Sequence, residues 1–319
     1  MINFETTSER EWFFYGKFLI VMKKKTKWFK RIRIGCLSSL VLIIVLSQIV
    51  SGCISFSKSD KEVAKFFEDQ LVKPVSESYT IDSYKMHYKV LDLEQPATFV
   101  FIHGTPGSWS AFIDYFVDST LYNKAVIISP DRPGFGKSSY GKPIASLETQ
   151  AKYLAPILEK YPAPRILIGH SLGGPIVARM AMDFPELVDG IIMLAPALSA
   201  ELEPHEDWFR VPMRWPIIEG VFPKIFRISN EELIFLREEL ELMMPLWKNI
   251  TVPSVVIQGE ADELVHPGNG AFADSVLVNA PHKIIMLPKQ NHFLPWNESE
   301  LIKKTILEML EGVRSGAGI

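Results

Sequence analysis

From residue 78 almost to the C-terminus, short runs of apolar, β-branched and aromatic residues alternate with longer stretches in which apolar residues return every three or four positions. The short runs read as strands at 78–81, 86–90, 99–103, 125–129, 165–168, 190–194, 254–258 and 283–287. Between them the helical period is clear. Leu147, Ala151, Leu154 and Leu158 form one stripe behind Ser146, whose hydroxyl suits an N-cap. Ile302, Ile306, Met309 and Leu310 form another, with Asn297 and Glu300 spaced as a capping box ahead of it and Gly312 as its end. A shorter amphipathic helix is expected over 61–71, closed by Pro74. Strands alternating with helices predict an α/β fold, a mainly parallel eight-stranded sheet with helices on both faces.

One interval breaks the alternation. About 59 residues separate Leu194 from Ser254, against the two to six that usually join helix and strand in such sheets. An inserted helical cap over 200–247 accounts for it, with Ser229 and Glu232 spaced to cap a helix reaching Met244. The insertion is rich in Trp208, Phe209, Met213, Trp215, Phe222, Phe226, Phe235 and Trp247, and Trp215 and Phe222 are expected to face a substrate. The chain then divides into 1–52, a targeting segment; 53–77, a tether and helix; 78–199 with 248–319, the core; and 200–247, the cap.

Charge changes the picture at the N-terminus only. Residues 1–52 carry nine Lys or Arg against three Glu, which leaves −9 for the remainder of a chain whose formal net charge is −3. An acidic body offers no footprint for nucleic acid. The basic residues Lys23 to Arg33 precede an apolar run from Leu37 to Val50, the order of a signal peptide. Val50-Ser51-Gly52-Cys53 then resembles the bacterial lipoprotein signal, in which the cysteine is acylated and becomes the mature N-terminus. An uncleaved membrane anchor or an ordinary signal peptide reads the same residues differently. All versions predict an exported domain, held at a membrane in the lipoprotein and anchor forms, and residues 1–21, ahead of a more typical start at Met22, are expected to be an upstream extension. Cys36 and Cys53 are the only cysteines, so the domain beyond them has neither an internal disulfide nor a cysteine nucleophile.

The candidate chemistry lies in five segments. Gly169-His170-Ser171-Leu172-Gly173 has the G-x-S-x-G form between a strand and a helix, where a sharp turn lifts a serine hydroxyl clear and the glycines let backbone pass closely. His103-Gly104-Thr105-Pro106-Gly107 ends another strand in a glycine-rich loop. Asp131-Arg132-Pro133-Gly134-Phe135-Gly136 follows the next and reads as a structural turn. Downstream, Gly259-Glu260-Ala261-Asp262 and Gln290-Asn291-His292 each close a strand.

In this combination the sequence resembles the α/β-hydrolase family over roughly residues 78–312. The resemblance implies Ser171 as nucleophile, Asp262 as the acid and His292 as the base, in the family's order, with the backbone N–H groups of Thr105 and Leu172 as the oxyanion hole. Glu260 and Glu263 are alternatives to Asp262. His103 is expected only to pack its loop, and His87, His170, His205, His266 and His282 carry no assigned role. The activity implied is hydrolysis of a hydrophobic acyl substrate, led by carboxylic esters, without metal or organic cofactor. Carbon–carbon bond hydrolysis, perhydrolysis and a non-catalytic membrane-tethered binding protein are the alternatives. A serine at the elbow sets the chain apart from relatives that use aspartate there.

Overall fold

The computed structural model describes residues 56–316, with Arg33 and Ser39 besides. The apolar run at 37–50 and Cys53 therefore lie outside the described residues. Among those described, no helix is long and apolar enough to cross a membrane.

Eight strands form one sheet: β1 (Val75–Ile81), β2 (Tyr84–Leu91), β3 (Thr98–Ile102), β4 (Val126–Asp131), β5 (Arg165–His170), β6 (Gly190–Leu194), β7 (Ser254–Gly259) and β8 (His282–Leu287). Their order is β1-β2-β4-β3-β5-β6-β7-β8. β1 and β2 make an antiparallel hairpin, β2 pairs antiparallel with β4, and every later pairing is parallel. The central strands β3, β4 and β6 are buried along their whole length, and β5 is buried from Ile166 onward, as a sheet covered on both faces requires. The longer helices are α1 (Asp60–Phe66), α2 (Leu147–Lys160), α3 (Gly173–Asp183), α4 (Lys224–Met243), α5 (Asn269–Val276) and α6 (Ser299–Ser315).

Two apolar cores lie on the two faces. One joins the sheet to α2, α3 and the C-terminal half of α4. The other joins it to α6, residues 109–117 and the residues around α1. Along β5 the alternation is visible: Leu167 enters the first core while Ile166 and Ile168 enter the second.

Several helix ends differ from the sequence expectation. Ser146 caps α2 as expected, accepting from the Thr149 N–H at 3.3 Å. Ser229, by contrast, sits inside α4 and donates to the Ile225 carbonyl at 3.0 Å. The helix starts five residues earlier, behind Pro223, and Glu232 is drawn into an ion pair with Arg132. Asn297 does not cap α6, because its amide donates to Asn291 Oδ1 at 3.0 Å and the helix starts after Glu298. Gly312 lies buried within α6, which continues to Ser315 and ends at Gly316 in the left-handed conformation. α1 is shorter than expected, ending at Phe66, and opens on a capping box of Ser59 and Glu62.

Candidate active site

The parallel strands end on one side of the sheet, where the loops after β3, β5, β7 and β8 converge on one cavity of about 750 Å3. It is lined by Ser171, Asp262, His292, Thr105 and Leu172, so all five sequence-derived candidates meet there.

Ser171 leaves β5 and precedes α3 with a φ of 55°, a left-handed conformation that costs a non-glycine residue energy and persists only when its surroundings enforce it. They do so at both ends of the turn. The Ser171 N–H donates to the Leu194 carbonyl at 2.9 Å and its carbonyl accepts from Gly174 at 2.8 Å. A Cβ on Gly169 would stand 2.2 Å from the Gly173 carbonyl oxygen, and one on Gly173 would stand 2.2 Å from that of Ile102. Both glycines are therefore demanded by close backbone approach. Leu172 stands immediately before α3, where N–H groups have no carbonyl to receive them within the helix and the helix dipole favours negative charge.

His292 and Asp262 are brought together from loops that follow β8 and β7. His292 Nδ1 lies 2.8 Å from Asp262 Oδ2. A carboxylate can only accept, so Nδ1 carries the proton and Nε2 is left as the basic nitrogen. Burial pushes the Asp262 carboxyl upward, but the hydrogen bonds from His292 and from the N–H groups of Val265 and Leu264 outweigh it and hold the group below the usual aspartate value. Those two N–H groups donate to Oδ1 at 2.9 Å each. Glu260 and Glu263 are exposed, whereas Asp262 is buried.

Other residues around the site escaped sequence reasoning. His170, adjacent to Ser171, donates through Nε2 to the His292 carbonyl at 2.9 Å, and its ring meets that of Trp296 edge to face at 5.5 Å. Burial and the neighbouring His292 push its pKa down to about 3, so it stands neutral behind His292. Arg132, fully buried, donates to the carbonyls of His103 and Gly104 at 2.9 Å each. The turn containing it closes on Asp131, which accepts from the N–H groups of Trp109 and Lys137 at 2.9 Å each. Gly136 (φ 49°) packs so tightly against that carboxylate that a Cβ would stand 2.1 Å away. No local signal marks Arg132 as buried, because its partner Glu232 lies 100 residues downstream.

The cap side of the cavity includes Leu202, Leu233 and Leu236, together with Glu203 and Arg237. Trp215 and Phe222 are not in the lining, contrary to expectation. Trp215 is exposed instead, and the inward positions went to the apolar stripe of α4. Burial, opposed by Arg237 and Arg210, pushes the Glu203 carboxyl up to about 7. No group of three or more His, Cys, Asp or Glu among the described residues is placed to hold a metal ion.

Residues 97–226 match the sequence model of a family described as alpha/beta hydrolase fold. The uncharacterized hydrolase YugF of Bacillus subtilis (strain 168) is 26% identical over 277 residues, which are 76% of this chain and all of that protein. Among solved structures, a candidate lipase (lip1) of Acinetobacter baumannii AYE is similar at a TM-score of 0.62 and 18% identity, over 82% of this chain and 98% of the other. A membrane phospholipase A described as a bacterial virulence factor is similar at 0.60 and 17%, over 89% and 99%. The sheet order is that of the alpha/beta hydrolase fold, and residues 97–226 match the sequence model described by that name.

Proposed function

We propose that the protein is a serine hydrolase that cleaves a carboxylic ester, or a related acyl bond, of a hydrophobic substrate through an acyl-enzyme. The observation that carries this reading is the 2.8 Å hydrogen bond between Asp262 and His292 at the rim of the cavity in which Ser171 stands on its strained elbow. In this scheme His292 Nε2 takes the Ser171 hydroxyl proton as Oγ attacks the carbonyl carbon. The carbonyl electron pair moves to oxygen and is held by the N–H groups of Thr105 and Leu172. Collapse of the tetrahedral species expels the alcohol, which takes the proton from His292, and water repeats the cycle on the acyl group. Asp262 keeps the imidazole in one tautomer and stabilises its charged form.

A cavity of about 750 Å3 lies within the range of pockets that enclose small organic ligands, and Leu202, Leu233, Phe293 and Trp296 give it apolar walls. A membrane setting is part of the proposal, through the apolar run before Cys53 and acylation at that residue. Phe56, the first residue of the continuously described stretch, lines this same cavity and is exposed together with Leu264, Phe293 and Trp296. A tether arriving there would keep the cavity mouth near lipid.

Fluorophosphonate labelling with a panel of p-nitrophenyl esters tests the core of the proposal. Wild-type protein should label and turn over; Ser171→Ala should fold, remain unlabelled and retain less than about a thousandth of the activity. Labelling of the Ala variant, or turnover above that level, would place the nucleophile elsewhere.

A further inference from the structure

The loop that supplies the Thr105 N–H is held from behind, and the elements that hold it include the cap. Thr105 N–H and the Gly104 carbonyl belong to one trans peptide unit, so they point in opposite directions from one rigid plane. The Gly104 oxygen is fixed twice, by His103 Nδ1 at 2.7 Å and by Arg132 Nη2 at 2.9 Å. The histidine can only be donating there. Its Nε2 accepts the Arg132 backbone N–H at 3.1 Å, which leaves the ring proton on Nδ1, and full burial with the adjacent guanidinium pushes its pKa well below the ordinary value. Arg132 Nε holds the preceding carbonyl, that of His103, at 2.9 Å. With two successive carbonyls held, the Gly104–Thr105 peptide cannot turn without breaking both of the bonds to its oxygen.

The guanidinium is in turn held by the cap. Glu232 on α4 receives it in a two-pronged pair, Nη1 to Oε1 at 2.6 Å and Nη2 to Oε2 at 3.1 Å, and Gln150 Oε1 accepts from Nη1 at 2.8 Å. Both charged side chains are essentially fully buried. A guanidinium there without its carboxylate would be an uncompensated buried charge, so Arg132 keeps its place only while α4 keeps its own.

We propose that His103, Arg132 and Glu232 form a clamp that aims the Thr105 N–H at the oxyanion, with Arg132 a positioning residue for acyl transfer and the cap helix an obligatory part of the oxyanion hole. This rests on the reading of Ser171 and Thr105 given above. A donor aimed in advance stabilises the transition state far more than the ground state, so the clamp should act on kcat and leave KM nearly alone. Arginine is required because its fork reaches two carbonyls and a carboxylate at once, which a lysine ammonium cannot do in that geometry.

The test compares wild type with Arg132→Met, Arg132→Lys and Glu232→Gln on a short p-nitrophenyl ester and on two inhibitors: an alkyl trifluoromethyl ketone, which adds Ser171 and carries an oxyanion, and the matching secondary alcohol, which cannot. Arg132→Met should lower kcat by about 100-fold or more, the effect of losing one oxyanion donor, with KM within about threefold. Its affinity for the ketone should fall in step with kcat/KM and its affinity for the alcohol should not. Arg132→Lys should not rescue it, and Glu232→Gln, which keeps an acceptor but no charge, should lie between. Should Arg132→Met not fold, Arg132→Met/Glu232→Leu removes both charges together and should show the same kcat loss. A folded variant without Arg132 that keeps kcat and ketone affinity within about threefold of wild type, or whose loss lies in KM and Tm alone, overturns the clamp. If wild type reacts with neither the ketone nor a fluorophosphonate, the reading of Ser171 fails instead, and a crystal structure of the Arg132 variant decides the clamp by itself: an unturned Gly104–Thr105 peptide overturns it.

Discussion

At Gly104 an added Cβ would stand 2.7 Å from Ser171 Cβ and 3.2 Å from the His170 carbonyl oxygen. Neither neighbour is the free end of a flexible chain, so Gly104→Ala must push the loop of residues 104–107 off the elbow. A displacement of about 1 Å at a reacting centre costs on the order of 100-fold in rate. The variant should therefore lose at least that in kcat on a short ester while its circular dichroism stays that of wild type; unchanged turnover would show that the loop does not bear on Ser171. His170 gives a second prediction. Its folded pKa of about 3 lies below the ordinary 6.5, so between those values the unfolded chain binds a proton that the folded protein refuses. His170 thus contributes a loss of stability as pH falls through that window. Asp262, held below its ordinary value, adds its own loss only at the acid end. His170→Gln, which keeps a donor for the His292 carbonyl, should flatten the pH dependence of the denaturation midpoint between about pH 6 and 4. An unaltered slope would remove His170 from the acid response.

At the scale of elements, α4 does two things with one helix. Leu236, Leu240 and Met243 are buried in the core beneath it, while Leu233 lines the cavity and Glu232 reaches Arg132. Adjacent positions point about 100° apart on a helix, so one stretch can serve cavity and clamp together. Leu233→Ala opens the cavity by three carbons where the proposed acyl chain would lie, and each buried methylene is worth about 0.8 kcal/mol. The ratio of kcat/KM for long over short p-nitrophenyl esters should rise by about tenfold or more, with the rate on acetate little changed. A profile unmoved by this substitution, with only Tm lowered, would make α4 an inert cover.

At the scale of the molecule the open matter is where the domain is held. The proposed lipoprotein form predicts that intact-mass analysis of the mature protein finds an acylated chain beginning at Cys53, and that Cys53→Ala moves activity out of the membrane fraction. An unmodified chain starting elsewhere would end that form of the proposal and leave the esterase reading untouched.

The alternation of strand and helix was legible because it needs only local information. β-branched runs long enough to cross a sheet and stripes at helical spacing specify both period and buried face, and all eight strands were found within a few residues. The elbow was legible for a similar reason, since close backbone approach at Gly169 and Gly173 leaves no room for another residue type. Asp262 and His292 needed the family's order of residues as well as the strands that precede them. Helix ends at Ser229, Asn297 and Gly312 were misplaced because local capping signals do not say how far packing extends a helix: α4 runs on ahead of Ser229 to Lys224, Asn297 bonds Asn291 instead, and Gly312 is buried within α6. Tertiary structure alone decided which apolar cap residues face the cavity and that a buried arginine holds the carbonyls of His103 and Gly104. The Arg132 and Glu232 side chains meet across 100 residues of chain, and no local period or motif can encode a contact that exists only once the cap has folded onto the sheet.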